Sequence, residues 1–126
     1  MRHLLSENGG DDLLDRAAVL DRVDGDLEVL RELVELFLDD SVRLVADMRA
    51  ALESSDAARL KTAAHTLKGA AGNFGARNTV AAAFKLGKLA AAANFTDVPA
   101  TLDNLEETVT RLNDALVQLH VELAMA

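Results

Sequence analysis

From residue 102 to residue 123 the chain repeats an apolar side chain at every third or fourth position: Leu102, Leu105, Val109, Leu112, Leu116, Leu119 and Leu123. That alternation lays one apolar seam along a helix of about six turns. A strand cannot carry it, because a strand alternates its faces every two residues. The seam has to be covered by other helices. They could come from a second copy, as in a coiled coil, or from the same chain, as in an antiparallel four-helix core; in one small domain the second is expected. Asp97 and Pro99 mark where this last helix starts, since Asp caps helices and Pro is tolerated in a first turn.

The rest of the chain supplies the covering helices. A short one is predicted from about Asp15 to Val23, stopped by Asp24 and Gly25. Asp26 opens a long helix to about Ser54, with the stripe Leu27, Leu30, Val34, Phe37, Ser41, Leu44, Met48 and Leu52, widened by Val29, Leu33 and Leu36. Ser55 or Asp56 caps a third, ending near Asn73 between Gly72 and Gly75. A fourth, Ala-rich helix runs from about Arg77 to Ala93, with Val80, Phe84 and Leu86 as its larger apolar groups. Residues 1–10 read as a flexible tail and 11–126 as one domain. The expected architecture is all-α: an antiparallel four-helix bundle with a short accessory N-terminal helix. At 126 residues such a domain buries roughly two thirds of its surface without staples. The absence of cysteine excludes thiolate metal sites and thiol chemistry.

Charge narrows the function. The chain carries a net −8 and an isoelectric point near 4.7, which argues against nucleic acid as a partner. No apolar run approaches the roughly 20 residues of a membrane span, and MRHLLSENGGDD lacks the apolar core of a signal peptide, so a cytoplasmic protein is expected. The charge is unevenly spread. Between Asp56 and Asp97 there is no acidic residue, while Arg59, Lys61, Lys68, Arg77, Lys85 and Lys88 give that stretch +6. Everything else carries −14. Such a zone is either a set of solvated helix faces or a surface that draws an anion or an acidic partner.

A histidine lies inside it. At about 100° per residue, with His65 at zero, Leu60, Ala63, Leu67, Ala70, Ala71 and Phe74 fall between about 140° and 240°, the core face. Lys61, Lys68, Gly69 and Gly72 fall within about 60° of His65. The imidazole therefore faces solvent between two ammonium groups and two bare stretches of backbone. A lone surface histidine is usually unremarkable, but a helix-interior glycine costs roughly 1 kcal/mol relative to alanine. Gly72 could be a frayed end and Gly75 a C-cap; Gly69 has neither explanation, and close approach of another molecule supplies one.

Phosphoryl transfer suits this arrangement. Neutral imidazole is a good nitrogen nucleophile, lysines offset phosphate charge, and small neighbours leave room for in-line approach. No GxxxxGK[ST] or kinase-type glycine loop is present, so the domain is expected to accept and donate phosphoryl groups without an ATP site or kinase activity of its own.

The segment from Ala64 to Ala76, AHTLKGAAGNFGA, closely resembles the signature of histidine-containing phosphotransfer (HPt) domains: His, any residue, Leu or Ile, Lys, Gly, five residues, Gly. It matches at His65, Leu67, Lys68, Gly69 and Gly75. The Gly25-Asp26 opening, Leu36-Phe37-Leu38 and Ala51-Leu52 are also similar, and the likeness runs from about residue 13 to 95, with the last helix alike in general character. The resemblance implies a four-helix bundle with His65 as phosphoacceptor, Lys68 as phosphate-stabilising cation, Gly69 for clearance and Gly75 as a structural glycine. It implies response-regulator receiver domains and a hybrid sensor histidine kinase as partners in a two-component phosphorelay. The receiver brings the phosphorylatable Asp and a Mg²⁺, so no cofactor of this chain's own is expected. Lys61, Gly69, Gly72, Lys85 and Lys88 make up the candidate binding surface. One departure is Gly87, where many relatives, chemotaxis kinases among them, carry Glu after the Leu that matches Leu86; this weakens a chemotaxis-kinase reading and leaves the relay role intact.

Two other readings remain at this stage. The bundle could dock receiver-like proteins as a scaffold without carrying phosphate. It could hold a metal or haem, although His3, His65 and His120 lie in separate segments with no i, i+4 partner. A monomer without bound metal is expected.

Overall fold

The computed structural model describes residues 13–125, so the expected tail at 1–10, with His3, lies outside the described residues. These residues form five helices: α1 (Arg16–Arg22), α2 (Leu27–Glu53), α3 (Ala57–Gly72), α4 (Arg77–Ala91) and α5 (Val98–Met125). Three of the starts are capped by aspartate, whose carboxylate accepts from otherwise unpaired first-turn amides. Asp15 accepts from Ala18 N, Asp26 from Glu28 N and Val29 N, and Asp56 from Arg59 N. Each connection turns on left-handed backbone: Asp24 and Gly25, then Ser55, Gly75 and Ala93.

Helices α2 to α5 form an antiparallel ring in which α2 packs on α3, α3 on α4, α4 on α5 and α5 back on α2. Ion pairs fix the directions. Arg59 at the start of α3 reaches Asp47 late in α2 at 3.0 Å. Arg49, also late in α2, reaches Asp103 and Glu106 early in α5 at 2.8 and 2.6 Å. Those bonds, Glu106 first and then Asp103, raise the Arg49 guanidinium above its ordinary range. Arg49 is 40% exposed, so the contact sets geometry more than it adds stability.

All seven residues of the α5 seam are buried, joined by Val98 and Thr101. On α2 the buried set is Leu30, Val34, Phe37, Ser41, Val45, Met48 and Ala51. The expected broadening of that stripe fails at Val29 and Leu36, which are 40% and 57% exposed because neither α3 nor α5 reaches that side of the helix. Phe84, expected among the apolar groups of α4, is 53% exposed; the buried positions are Thr79, Ala82, Ala83, Leu86 and Ala90.

The accessory helix α1 is locked at two points. The Asp15 amide donates to the Phe74 carbonyl at 2.9 Å, and Arg16 pairs with Glu122 of α5 at 2.5 Å with both side chains nearly buried. The α3–α4 turn accepts α1 only because residue 75 is glycine. It sits at φ +61°, and a β-carbon there would lie 2.6 Å from the Asp15 β-carbon. Phe74 also packs edge-on against Phe37, centroids 5.3 Å apart, tying the end of α3 to α2.

Candidate functional site

The packing of α3 decides which of its residues reach solvent. Leu60, Ala63, Ala64, Leu67 and Ala71 are buried, so the helix turns His65, Lys61, Gly69 and Gly72 outward, with Lys68 half-buried at the edge. Its neighbour α4 approaches closely, since a β-carbon on Gly87 would come within 3.9 Å of the Ala64 β-carbon. The two helices thus form the floor of a shallow cleft of about 230 Å³. Lys61, His65 and Lys68 line it from α3, and Phe84, Gly87 and Lys88 from α4, with Ala83 and Ala91 at its edges.

Three ammonium groups therefore surround one imidazole, and among the described residues no carboxylate lines the cleft. The Lys68 Nζ lies 5.2 Å and the Lys88 Nζ 5.4 Å from the centroid of the Phe84 ring. An anion built on the imidazole would meet positive charge from both helices.

The structure does not bring every candidate here. Gly69 and Gly72 lie on the exposed face of α3 beside the cleft without lining it, and a β-carbon on either meets nothing within 4 Å. Lys85 is elsewhere: it lines the groove between α4 and α5 with Asn78, Asn104, Glu107 and Arg111. One residue along a helix is about 100° of rotation, enough to carry Lys85 away from Phe84 and out of the cleft. That second groove is larger, about 660 Å³, yet it holds no imidazole, so volume does not identify the reactive surface. His120 is also remote, with Nε2 2.8 Å from Glu35 Oε2 across the α2/α5 groove. The described histidines do not converge on a shared site.

Two members of the cleft escaped the sequence reading. The sequence names Phe84 only as one of the larger apolar groups of its helix, although Ala82, Ala83, Leu86 and Ala90 mark the buried stripe and leave residue 84 about 145° from its centre. Gly87 enters the sequence reading only for its lack of a carboxylate; here it lines the cleft, and a β-carbon on it would make an ordinary contact with Ala64.

Comparison with known proteins gives one family and two structures. The model of the Hpt domain matches residues 32–119, which include the cleft and most of the bundle. Histidine-containing phosphotransfer protein B (HptB) from Pseudomonas aeruginosa PAO1 is similar in structure, with a TM-score of 0.82, 23% identity, and coverage of 87% of this chain and 96% of that one. The HPT domain of the Hpt sensor hybrid histidine kinase from Shewanella has a TM-score of 0.76 at 19% identity, covering 88% of this chain and 96% of its own. No curated protein matches.

Proposed function

This chain belongs to the Hpt domain family and serves histidine phosphotransfer in a phosphorelay, and from that premise we propose that His65 is its phosphoacceptor and Lys68 its principal phosphate-stabilising residue. The observation that carries the assignment is the cleft itself: an exposed imidazole on α3 with Lys61, Lys68 and Lys88 around it and no acid among its lining. His120, paired with Glu35 on the opposite side of the bundle, has no such surroundings.

In the forward step, an aspartyl phosphate on a receiver domain meets His65 end on. The lone pair of one imidazole nitrogen attacks phosphorus and the N–P bond forms. The bond from phosphorus to the aspartyl oxygen breaks, and its electron pair leaves with the carboxylate. The ring's other nitrogen keeps its proton. The lysines compensate the charge carried onto the imidazole, and the same geometry run backwards hands the phosphoryl group to a second receiver. The Mg²⁺ of the reaction belongs to the receiver in this reading, and no nucleotide site or cofactor is assigned to this chain.

Gly69 and Gly72 would leave room for the receiver to approach along α3. Action as a monomer is supported by the α5 seam, which is covered within the chain rather than left for a second copy. Among the described residues no helix is long and apolar enough to cross a membrane, and we place the relay in the cytoplasm.

Incubation with a phosphorylated receiver, followed by mapping of acid-labile phosphate, tests the assignment. Label is expected on His65 and absent from His65→Gln. Label persisting in His65→Gln at the wild-type level would refute it, and a wild-type protein that binds receivers without ever taking label would favour the docking scaffold. Incubation with ATP and Mg²⁺ alone should leave the protein unlabelled.

A further inference from the structure

Among the large apolar side chains of α4, Phe84 is the one the fold leaves mostly exposed, and core packing gives no account of its place. Thr79, Leu86 and the alanines of the stripe supply the buried face of α4, and Gly87 sits in packing distance of Ala64. Phe84 lies instead on the rim of the cleft that holds His65. Two ammonium groups lie over its ring, both within the range of about 6 Å at which the negative face of an aromatic attracts a cation. They come from different helices: Lys88 is one turn along α4, and Lys68 reaches across from α3. Two like charges brought into one cleft repel each other, and no carboxylate in the lining offsets that repulsion. The ring is the group that can.

We propose that Phe84 is a positioning residue of the phosphotransfer site: its ring holds the Lys68 and Lys88 ammonium groups beside His65 before phosphate arrives. This rests on the assignment of His65 as phosphoacceptor. Lysine is a flexible side chain, and each one already held near the imidazole saves the ordering that phosphate would otherwise have to impose at the moment of transfer. The ring offers this without taking a hydrogen bond from either lysine, so both ammonium groups keep their donors for phosphate oxygens. A carboxylate in the same place would hold the lysines too, but it would repel the incoming phosphoryl group.

The test has two parts. The first is read on the unphosphorylated protein by NMR: the ε-methylene protons of Lys68 and Lys88 should be shifted upfield by the ring relative to those of Lys61, and Phe84→Leu should return them to the Lys61 position. The second is the single-turnover rate of transfer from a phosphorylated receiver. Phe84→Leu should lower the rate at saturating receiver by about 5- to 30-fold, the worth of two exposed cation–π contacts, while Phe84→Tyr and Phe84→Trp retain it. Absence of the upfield shifts in wild type would overturn the proposal, and that reading needs no variant to fold. A wild-type saturated rate for Phe84→Leu would also overturn it. So would a loss confined to receiver affinity, which would make Phe84 a docking contact. Failure of the underlying assignment is seen separately, as label retained in His65→Gln whatever the lysine resonances show.

Discussion

A β-carbon added to Gly69 meets open space, whereas one added to Gly75 would collide with Asp15, so two glycines six residues apart answer to opposite demands. Gly69 is an exposed, helix-interior residue. Replacing it by alanine should raise the melting temperature, by up to about 1 kcal/mol of helix propensity. Gly69→Leu should keep its helical circular dichroism and lose most transfer, because the larger side chain occupies the space a receiver enters. Full transfer by that folded variant would show that the glycine is not kept for clearance. Gly75→Ala should behave differently, destabilising the fold by about 2 kcal/mol or more through left-handed backbone strain and the displacement of Asp15. A melting temperature equal to wild type would mean that α1 sits more loosely on the α3–α4 turn than its contacts show. Thr79 offers a third case. Its hydroxyl is buried without a hydrogen-bond partner among the described residues, so Thr79→Val should leave stability unchanged or raise it by about 1 kcal/mol, measured by denaturant unfolding.

Between elements, the contact that sequence periodicity could not show is the Arg16–Glu122 pair, whose side chains are 6% and 11% exposed. Periodicity reports which face of a helix is apolar; it says nothing about two charges 106 residues apart in the chain. Removing one partner of a buried pair strands the other charge, so Glu122→Gln should cost about 3 kcal/mol in chemical unfolding, while replacement of both by apolar residues should cost far less. Equal losses in the single and double replacements would show that the site stabilises through packing of the arginine stem alone. The α5 seam was readable because Leu and Val recur there without interruption and one side of the helix faces the core. The third helix was readable for a similar reason: its buried residues leave the histidine face little freedom. The rim position of Phe84 was not legible in the fourth helix, because an Ala-rich helix offers few large side chains to mark its buried face. Close packing of α3 and α4 puts small residues between the helices and leaves the ring at the rim.

Over the whole molecule, the acid-free stretch of +6 coincides with α3, α4 and their connection, while the acids of the described residues lie on the other helices and connections. The bundle is therefore polarised, with His65 on its positive half. Such a field acts mainly on encounter rate and fades with salt, because exposed charges are screened over roughly 8 to 10 Å at physiological ionic strength. The structure separates two lysines that the sequence had grouped together. Lys88 lines the His65 cleft, and Lys85 lines the α4/α5 groove, yet reversing either alters the net charge by the same amount. Lys88→Glu should slow transfer several-fold at low ionic strength, with the difference shrinking as salt rises, and Lys85→Glu should have a clearly smaller effect under the same conditions. If both variants slow transfer equally, steering depends on the summed charge of the basic half and not on the cleft. If neither is slowed at any salt concentration, these lysines are a solvated face and recognition rests on the packed surface around Phe84 and Gly69.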